Sequence, residues 1–522
     1  MDRIFLRAWV CTCLCAFALA GAAPAAAARE AAAAGARADA HKNAGIAAGY
    51  YAALLAGPAP DLAELGLLMN LLPKGGDLHH HYSGAIYAES YIEWIKQAGY
   101  CVYRADNAEF KAGKFRIETR PREQLAPGAA ALCLDADAIR DVANNDFYRA
   151  LLSRWSDKDF DNHSHEQPAP DQQFFDTFGY FGPISTYNYN HGLRELKARA
   201  IAENVQYIET MLRGAPARRE IYQGEAGKHV DALAPTAGAA AANAALDPLY
   251  QALAGDAQTA AEITRYSSVL EEAAAGIDDE NFRLRFQAYV SRNSAPAQVF
   301  AGLYAGFAAA RSGGKVVAVN IVGPENWQVS MRDYTLHMRM FHFLKQKFPG
   351  VRLALHAGEL TLGLVPPEGL QSHIREAIEI GGAQRIGHGV DIAYERDAPG
   401  LLREMRARNV AVEISLTSNA FILGVKGAAH PLQVYRRHGV PFVIASDDPG
   451  VSRNNLSGEY LLYVSRYKPG YAELKRTVYN SIHYSFLGEA EKAEELKKLD
   501  QRFAVFEARV RLLAEPPAKV AR

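Results

Sequence analysis

Short apolar runs of strand length recur along the chain and alternate with longer segments whose apolar residues repeat at helical spacing. The helical spacing is seen in segments 330–348 and 369–381, and residues 214–275 are Ala-rich with a helical pattern. From Asn320 onward, the ends of the strand-like runs are about one βα unit, or roughly thirty residues, apart. The predicted strands are Leu78–Tyr82, Val205–Glu209, Leu284–Val290, Val316–Ile321, Leu353–His356, Arg385–His388, Val410–Ile414 and Phe442–Ala445.

This alternation predicts an α/β protein. Eight βα-type units in series favour a closed (β/α)8 barrel of the TIM type. The runner-up is an open, doubly wound sheet, which normally carries a Gly-rich phosphate-binding turn after an early strand. Gly75-Gly76 precedes its strand and does not meet that description.

The N-terminus has the pattern of a secretory signal peptide. Arg3 and Arg7 supply positive charge, Ala8–Ala20 is an apolar run too short to span a bilayer, and the Ala-rich sequence that follows offers A-x-A cleavage sites. We assign residues 1–28 to the leader and residues 29–515 to a single barrel domain. No later segment is long and apolar enough to span a bilayer, so we expect an exported protein, periplasmic or secreted, without membrane contact after cleavage.

Two features stand outside the βα alternation. His41–Ala56 is predicted to be a helix ended by Gly57-Pro58, so extra helices precede the first strand. Residues of about 99–140 alternate in a way that predicts an inserted hairpin subdomain. Cys101 and Cys133 flank this hairpin, and in an exported protein we expect them to form a disulfide, with two buried free thiols as the alternative.

The charge balance does not indicate a polyanionic partner. The chain has 57 Lys plus Arg against 58 Asp plus Glu, which gives no case for binding nucleic acid or a membrane surface. Hydrophobic residues make up 49% of the 522 residues, enough for a large core. A small-molecule ligand is therefore the expected partner, and the sequence leaves the oligomeric state open.

Three consecutive histidines provide the first candidate for chemistry. If Leu78–Tyr82 is a strand, His79 and His81 share one face and His80 points to the other. Neutral imidazole is a common ligand of zinc in proteins. Two histidines alone would more often belong to a polar edge strand, so the interpretation depends on further ligands.

Later strands supply those ligands. The fifth and sixth strands end at His356 and His388, Asp447 closely follows the eighth strand, and barrels place their active sites at strand ends. Each residue alone has an ordinary explanation as a core histidine or a turn aspartate. Their joint occurrence favours a metal site, and nitrogen and carboxylate ligands without thiolate suit zinc. The aromatic stretch Phe174–Phe178 either walls such a site or packs in the core, and core packing is the favoured interpretation.

Short motifs follow the predicted strands from about residue 72 to residue 460. They are His79-His80-His81, Val322-Gly323-Pro324-Glu325, His356-Ala357-Gly358-Glu359, Gly387-His388-Gly389, Ser415-Leu416-Thr417-Ser418-Asn419 and Ser446-Asp447-Asp448-Pro449. Together and in this order they resemble the adenosine deaminase family of metal-dependent hydrolases. The leader and the insertion resemble the secreted branch of that family, which includes the adenosine deaminase-related growth factors.

The resemblance implies a reaction and a set of catalytic roles. The reaction would be zinc-dependent hydrolytic deamination of adenosine or deoxyadenosine to inosine or deoxyinosine and ammonia, by attack of metal-bound hydroxide at purine C6. Glu359 would be the acid/base residue, and His388 would orient and stabilise the hydroxide. One zinc ion per chain would be bound by His79, His81, His356 and Asp447.

The resemblance also implies contacts with a purine nucleoside. Asp448 would contact purine N7, the backbone of Gly323 would contact N3, and His81 would lie against the substrate. The family often has Asp two residues after His81, linked to the ribose hydroxyls, where this chain has Ser83. A hydroxyl still forms hydrogen bonds but carries no charge, so the choice among adenosine, deoxyadenosine, AMP and modified adenosines is left open.

Two alternative functions also stay open. One is a barrel metallohydrolase acting on another purine or on an amide; many such enzymes use two metals bridged by a modified Lys at the end of the fourth strand, whereas Lys315 precedes that strand here. The other is a secreted nucleoside-binding or signalling protein that has lost catalysis. The complete set of candidate ligands, together with Glu359, argues against this second alternative.

Overall fold

The computed structural model describes residues 22–162 and 168–515. Most of the predicted leader, residues 1–21, thus lies outside the described residues, and residues 22–28 begin the first helix. The strands are β1 (Gly75–His81), β2 (Cys101–Tyr103), β3 (Ile117–Glu118), β4 (Cys133–Leu134), β5 (Val205–Met211), β6 (Arg283–Ser291), β7 (Val316–Val322), β8 (Ala354–Ala357), β9 (Arg385–His388), β10 (Ala411–Ile414) and β11 (Phe442–Ile444).

Eight of these strands form the barrel that the sequence predicts. β1, β5, β6 and β7 make one parallel four-stranded sheet, and β8, β9, β10 and β11 make the other. Single parallel bridges, Val319 with Leu353 and His80 with Asp447, join the two sheets along both edges. The prediction of a closed (β/α)8 barrel is therefore confirmed, and the open sheet is excluded because the first and last strands meet.

Helices cover the outside of the barrel, which explains why the strands are buried nearly throughout. None of the helices in the described ranges combines the length and apolar character of a bilayer-spanning segment. The longer helices are α1 (Ala22–Leu55), α2 (Leu62–Leu71), α3 (Ala88–Ala98), α4 (Asn145–Arg154), α5 (Pro170–Ser185), α6 (Tyr189–Ala202), α7 (Ala239–Gly255), α8 (Ala257–Ala273), α9 (Pro296–Ser312), α10 (Gln328–Lys347), α11 (Ala398–Ala407), α12 (Leu416–Leu423), α13 (Leu456–Tyr467), α14 (Tyr471–His483) and α15 (Glu489–Ala514).

Shorter helical segments lie mostly in the connections between these elements. They are Tyr82–Ala85, Pro127–Leu132, Ala136–Arg140, Arg219–Tyr222, Glu225–Asp231, His373–Glu376, Leu432–His438 and Pro449–Ser452. Tyr82 thus belongs to a helical turn, so the predicted end of the first strand was one residue too late. The helix predicted for residues 41–56 is the C-terminal part of the longer helix α1.

The inserted segment forms a small antiparallel sheet in the order β3-β2-β4. A disulfide joins Cys101 and Cys133, whose Cα atoms are 5.5 Å apart, so the alternative of two free thiols is wrong. Arg116 Nη1 donates to the carbonyl oxygen of Gly179 in α5 at 2.7 Å, and its guanidinium lies 4.5 Å from the centre of the Tyr180 ring. The insertion therefore supports α5, one wall of the site described below.

Candidate active site

A cavity of about 350 Å³ opens at the carboxyl ends of the barrel strands, where barrels of this kind bind ligands. All the residues that the sequence predicts for the site line this cavity except His79, which is fully buried. Those lining residues are His81, Ser83, Gly323, His356, Glu359, His388, Asp447 and Asp448. Closure of the barrel thus brings together side chains that are up to 367 positions apart in the chain (from 81 to 448).

Three histidines and one aspartate converge in the cavity. The Nε2 atoms of His79 and His81 each lie 3.3 Å from Asp447 Oδ1, and His81 Nε2 lies 3.2 Å from His356 Nε2. Ligand atoms about 2.0–2.1 Å from one tetrahedral zinc ion are separated by about 3.3–3.4 Å. The observed spacing therefore suits four ligands of a single ion.

The hydrogen bonding of these atoms also fits a cation. His79 Nε2 is buried and has no hydrogen-bond partner among the described residues. A buried nitrogen without a partner is costly, and a cation at the centre of the cluster would satisfy it. Three imidazoles and one carboxylate form a donor set that suits zinc.

Hydrogen bonds to the far side of two histidines fix which ring nitrogen faces the cluster. His79 Nδ1 lies 2.6 Å from Glu413 Oε2, and His356 Nδ1 lies 2.9 Å from Asn320 Oδ1. Because both partners are acceptors, each Nδ1 carries the proton and each Nε2 keeps its lone pair for a metal. Sequence reasoning assigned no role to Glu413 or Asn320; the only signal was that both are polar residues within apolar strands.

Two of the predicted site residues have an unusual backbone conformation. His388 has φ 68° and Asp447 has φ 61°, in the left-handed region where non-glycine residues cost on the order of 1–3 kcal/mol. His388 is the last residue of β9 and Asp447 lies shortly after β11, and both side chains line the cavity. Such strain is concentrated at functional sites.

Glu359 is a buried carboxylic acid that lies in the same cavity. Burial, together with the negative charge of Asp447, raises the pKa of Glu359 well above its usual range. Its Oε1 is buried without a hydrogen-bond partner among the described residues. This side chain is therefore suited to hold a proton at neutral pH and to donate it to a bound molecule.

The backbone that carries Glu359 is held by a second glutamate. Glu325 accepts hydrogen bonds from the backbone N–H groups of Gly358 and Glu359, each at 3.0 Å, and lies 2.6 Å from His373 Nδ1. Burial alone would raise the pKa of Glu325. The charges of Arg292 and His373 nevertheless lower this pKa to about 2. The sequence motif contained Glu325, but its function of positioning the Glu359 turn emerges only from the structure.

His388 is a neutral base at the edge of the cluster. Burial lowers the pKa of His388 to about 3, so the ring is uncharged at pH 7. Asn419 Nδ2 donates to His388 Nδ1 at 3.0 Å, which leaves the ring proton on Nε2. His388 Nδ1 also lies 3.6 Å from Glu359 Oε1, so the two predicted catalytic residues are neighbours.

Asp448 is the second carboxyl of the cavity that lacks a partner. Its Oδ1 is buried without a hydrogen-bond partner among the described residues, and burial, with the adjacent Asp447, raises its pKa well above the usual range. The close approach requires glycine opposite, since a Cβ on Gly84 would lie 1.6 Å from Asp448 Oδ1. Asp448 is thus available for a ligand, and its contact with a purine stays a prediction.

The aromatic stretch on α5 belongs both to the core and to the cavity wall. Phe174 is part of the main core, and Phe175 and Phe178 pack against it, so the favoured prediction of core packing is confirmed; all three also line the cavity. Phe174 serves both purposes, since it is only 2% exposed. The sequence could not separate the two because an aromatic residue has the same apolar signature in a core and in a ligand-binding wall.

The fold and the ligand cluster place this chain among TIM-barrel proteins with a metal site built on strand ends. A family model for adenosine deaminase matches residues 249–502, which include His356, Glu359, His388 and Asp447. Over these residues, which are just under half of its length, the chain is similar to the adenosine deaminase family.

Curated relatives match over part of their length. The adenosine deaminase of Serratia proteamaculans is 35% identical over 152 residues, which cover 29% of this chain and 42% of the relative. That of Vibrio parahaemolyticus is 30% identical over 188 residues, or 36% of this chain and 51% of the relative. The chain thus spans about half the length of these relatives, or less.

Solved structures match over most of the chain at low identity. Arabidopsis ADAL complexed with IMP has a TM-score of 0.52 and 16% identity, and the match covers 84% of this chain and 99% of that one. Adenine deaminase from Arthrobacter aurescens has a TM-score of 0.50 and 16% identity, with 82% and 98% covered. At this identity the likeness shows the shared barrel fold alone.

Proposed function

We propose that this protein is a zinc-dependent aminohydrolase that removes the 6-amino group of a purine, with adenosine and deoxyadenosine as candidate substrates. The products would be inosine or deoxyinosine and ammonia. The observation that carries the proposal is the position of the buried acid Glu359 in one cavity with three histidines and Asp447. This combination supplies both a metal site and a proton donor.

His79, His81, His356 and Asp447 would hold the zinc ion. When bound, zinc lowers the pKa of a coordinated water to near neutrality and so provides a nucleophile at working pH. His388 would orient the attacking water oxygen through its Nε2–H. The surrounding protein excludes bulk water, since Glu359, His388 and Asp447 are each no more than 8% exposed.

Glu359 would supply the proton that makes the purine ring electrophilic. Protonation of ring N1 withdraws electrons from C6, so that C6 accepts the oxygen of water. The C6–N6 bond then breaks, and the amine leaves as ammonia after taking a proton. Asp448 would hydrogen-bond N7, and the backbone N–H of Gly323 would donate to N3, so that C6 is held toward Glu359.

The direct test is an assay of the zinc-loaded mature protein with adenosine and with deoxyadenosine. We expect a fall in ultraviolet absorbance as inosine forms and release of one ammonia per nucleoside consumed. Binding of adenosine without any turnover, at one zinc per chain, would reject the proposed reaction in favour of a non-catalytic nucleoside-binding protein. Turnover of an amide with no purine turnover would favour the other barrel hydrolases.

We also propose that the protein is exported. The leader pattern in residues 1–28 motivates this proposal, and the Cys101–Cys133 disulfide supports it because disulfides persist mainly in oxidising compartments. Fractionation of the native cells, with the N-terminal residue of the mature protein determined, tests it. The resemblance to the growth-factor branch stays a prediction.

A further inference from the structure

A second cavity lies at the opposite end of the barrel from the candidate active site. Its volume is about 480 Å³, within the range of small-molecule sites. Pro73, Asn204 and Asn281 line it, and each lies one or two positions before the first residue of β1, β5 or β6. These strands are neighbours in one sheet, so the cavity is at their amino ends, away from the metal ligands. We call it the basal cavity.

One face of helix α15 forms the other side of the basal cavity. Lys498, Arg502, Val505 and Arg509 line it, and their spacing of i, i+4, i+7 and i+11 places them on the same side of the helix. Three of these four side chains are cations. Glu280 is the one carboxylate of the lining, and it forms no ion pair with any of the three among the described residues. The basal cavity therefore has an excess of positive charge.

Arg502 is a partly buried guanidinium without a carboxylate partner. Its Nη2 donates to the carbonyl oxygen of Asn281 at 2.7 Å, and it forms no ion pair within the part of the chain that the structure describes. Burial lowers the pKa of Arg502, against the opposing effect of the charge of Glu495, but an arginine side chain stays protonated in proteins. A partly buried cation without an anion is costly, and an anion in the basal cavity would offset that cost.

The other two cations of this face differ in how they are paired. Lys498 Nζ lies 3.0 Å from Glu495 and 3.2 Å from Glu494, so its charge is already balanced. Arg509 is exposed and, among the described residues, forms no ion pair. Arg502 and Arg509 thus supply two guanidinium groups that remain available to an anion.

We propose that the basal cavity binds an organic phosphate, with Arg502 and Arg509 on the phosphate group and the organic part against Leu71, Val505 and Phe506. Guanidinium groups match phosphate oxygens with paired N–H donors, and a phosphate presents oxygens in several directions, so that two arginines can bind it together. Val505, which is 53% exposed, lies between the two arginines on the helix and gives the organic part an apolar surface. This site is separate from the proposed deamination and does not depend on it.

The first experiment measures binding by calorimetry at constant ionic strength, because exposed cations attract any salt. The purified mature protein is titrated with phenyl phosphate, inorganic phosphate and phenol. We expect one site for phenyl phosphate, weaker binding of inorganic phosphate, which lacks the apolar part, and no detectable binding of phenol. No binding of phenyl phosphate at millimolar concentration would overturn the inference. Binding of phenol as tight as that of phenyl phosphate would overturn the assigned role of the phosphate group.

The second experiment locates the site with variants of α15. Arg502→Gln and Arg509→Gln should each weaken phenyl phosphate binding about 10-fold, since each removes a charged hydrogen-bond donor. Lys497→Gln is the matched control, because Lys497 is exposed on the same helix but does not line the basal cavity, and its affinity should equal that of the wild type.

Equal affinities in all four proteins would place the phosphate elsewhere, for example at the metal ligands, and would overturn the inference. Arg509→Gln keeps the test decisive if Arg502→Gln does not fold, because Arg509 is exposed and its loss breaks no ion pair among the described residues. Phenyl phosphate should also raise the melting temperature of the wild type and of Lys497→Gln more than that of Arg509→Gln. An equal rise in these three proteins would contradict the assigned site.

Discussion

Glu413 on β10 accepts a hydrogen bond from Nδ1 of His79 on β1, with 2.6 Å between the two atoms. Its other oxygen, Oε1, accepts from Arg385 Nε at 2.5 Å, and Arg385 Nη2 in turn donates to Glu209 at 2.6 Å. All four side chains are fully buried or nearly so. This chain of contacts fixes the ring of His79, so the metal site depends on a residue that was not among the predicted ligands.

Glu413→Gln should weaken metal binding without unfolding the protein. Loss of the carboxylate partner makes His79 a poorer ligand, and changes of this kind typically cost about 10–100-fold in metal affinity. Arg385 keeps Glu209 as a charged partner, so its guanidinium is not left unpaired. Zinc titration against a competing chelator measures the effect, with Glu404→Gln on the exposed face of α11 as the control. An unchanged zinc dissociation constant would contradict the assigned positioning role.

Asp447→Ala should remove the metal and the activity together. Asp447 Oδ1 lies 3.3 Å from Nε2 of both His79 and His81, so its loss leaves an incomplete ligand set. We expect metal analysis of the purified variant to find much less than one zinc per chain, and a lower melting temperature that added zinc no longer raises. Chelation of the wild type should give the same lower melting temperature, reversed by zinc. One zinc per chain in the variant would refute the ligand assignment.

Glu359→Gln should separate metal binding from catalysis. The amide has nearly the shape of the carboxylic acid but does not transfer a proton, so turnover should fall by about 10²–10⁴-fold. Glu359 is not one of the four proposed ligands, and the zinc content should stay at one per chain. Steady-state kinetics and metal analysis on the same sample provide the test. A near-normal rate would reject Glu359 as the proton donor.

Glu325→Gln should lower kcat more than it changes KM. Glu325 holds the Gly358 and Glu359 amides at 3.0 Å, and small displacements of a catalytic group cost up to about 10²-fold in rate. Because the charge of Arg292 loses its partner, we also expect lower stability by about 3–5 kcal/mol. Urea unfolding measures the loss of stability, and kcat is then compared at urea concentrations where both proteins are folded. This comparison separates the effect on catalysis from a purely structural effect. A raised KM with normal kcat would argue against the positioning role.

Removal of the disulfide should destabilise the insertion and weaken substrate binding. Cys101 and Cys133 are 32 positions apart, and a crosslink over such a loop contributes about 3–4 kcal/mol in the chain-entropy model. The Cys101→Ser/Cys133→Ser variant should unfold earlier in urea and have a raised KM, because Arg116 of the insertion supports α5. The Arg116→Ala variant keeps the disulfide and therefore tests the support of α5 by Arg116 separately. Equal KM values in all three proteins would disprove a link between the insertion and the cavity wall.

The sequence was most informative where the local pattern and the function coincide. The apolar runs predicted all eight barrel strands, and β9 occupies the predicted residues, Arg385–His388. His79, His81, His356 and Asp447 were recognisable because parallel strands of one barrel end at the same edge. A polar residue at each of several strand ends must therefore lie near the others, whatever the details of packing.

The hydrogen-bond partners of those residues could not be predicted from the sequence. Whether Glu413 reaches His79, or Asn320 reaches His356, depends on which strands are neighbours and on their register, to within a single residue. The Phe174–Phe178 stretch left a related question open: its composition indicates burial, but only the placement of α5 shows that it lies against both the core and the cavity.

The sequence by itself thus determined the barrel, its strand order along the chain and the four candidate metal ligands. These follow from hydrophobic periodicity and from the position of polar residues relative to strand ends, both of which are local properties. The tertiary structure decided which nitrogen of His79 faces the metal, how Glu359 is held by Glu325, and what walls the cavity. Those depend on contacts between residues far apart in the chain, and only the closed barrel brings them within hydrogen-bond distance.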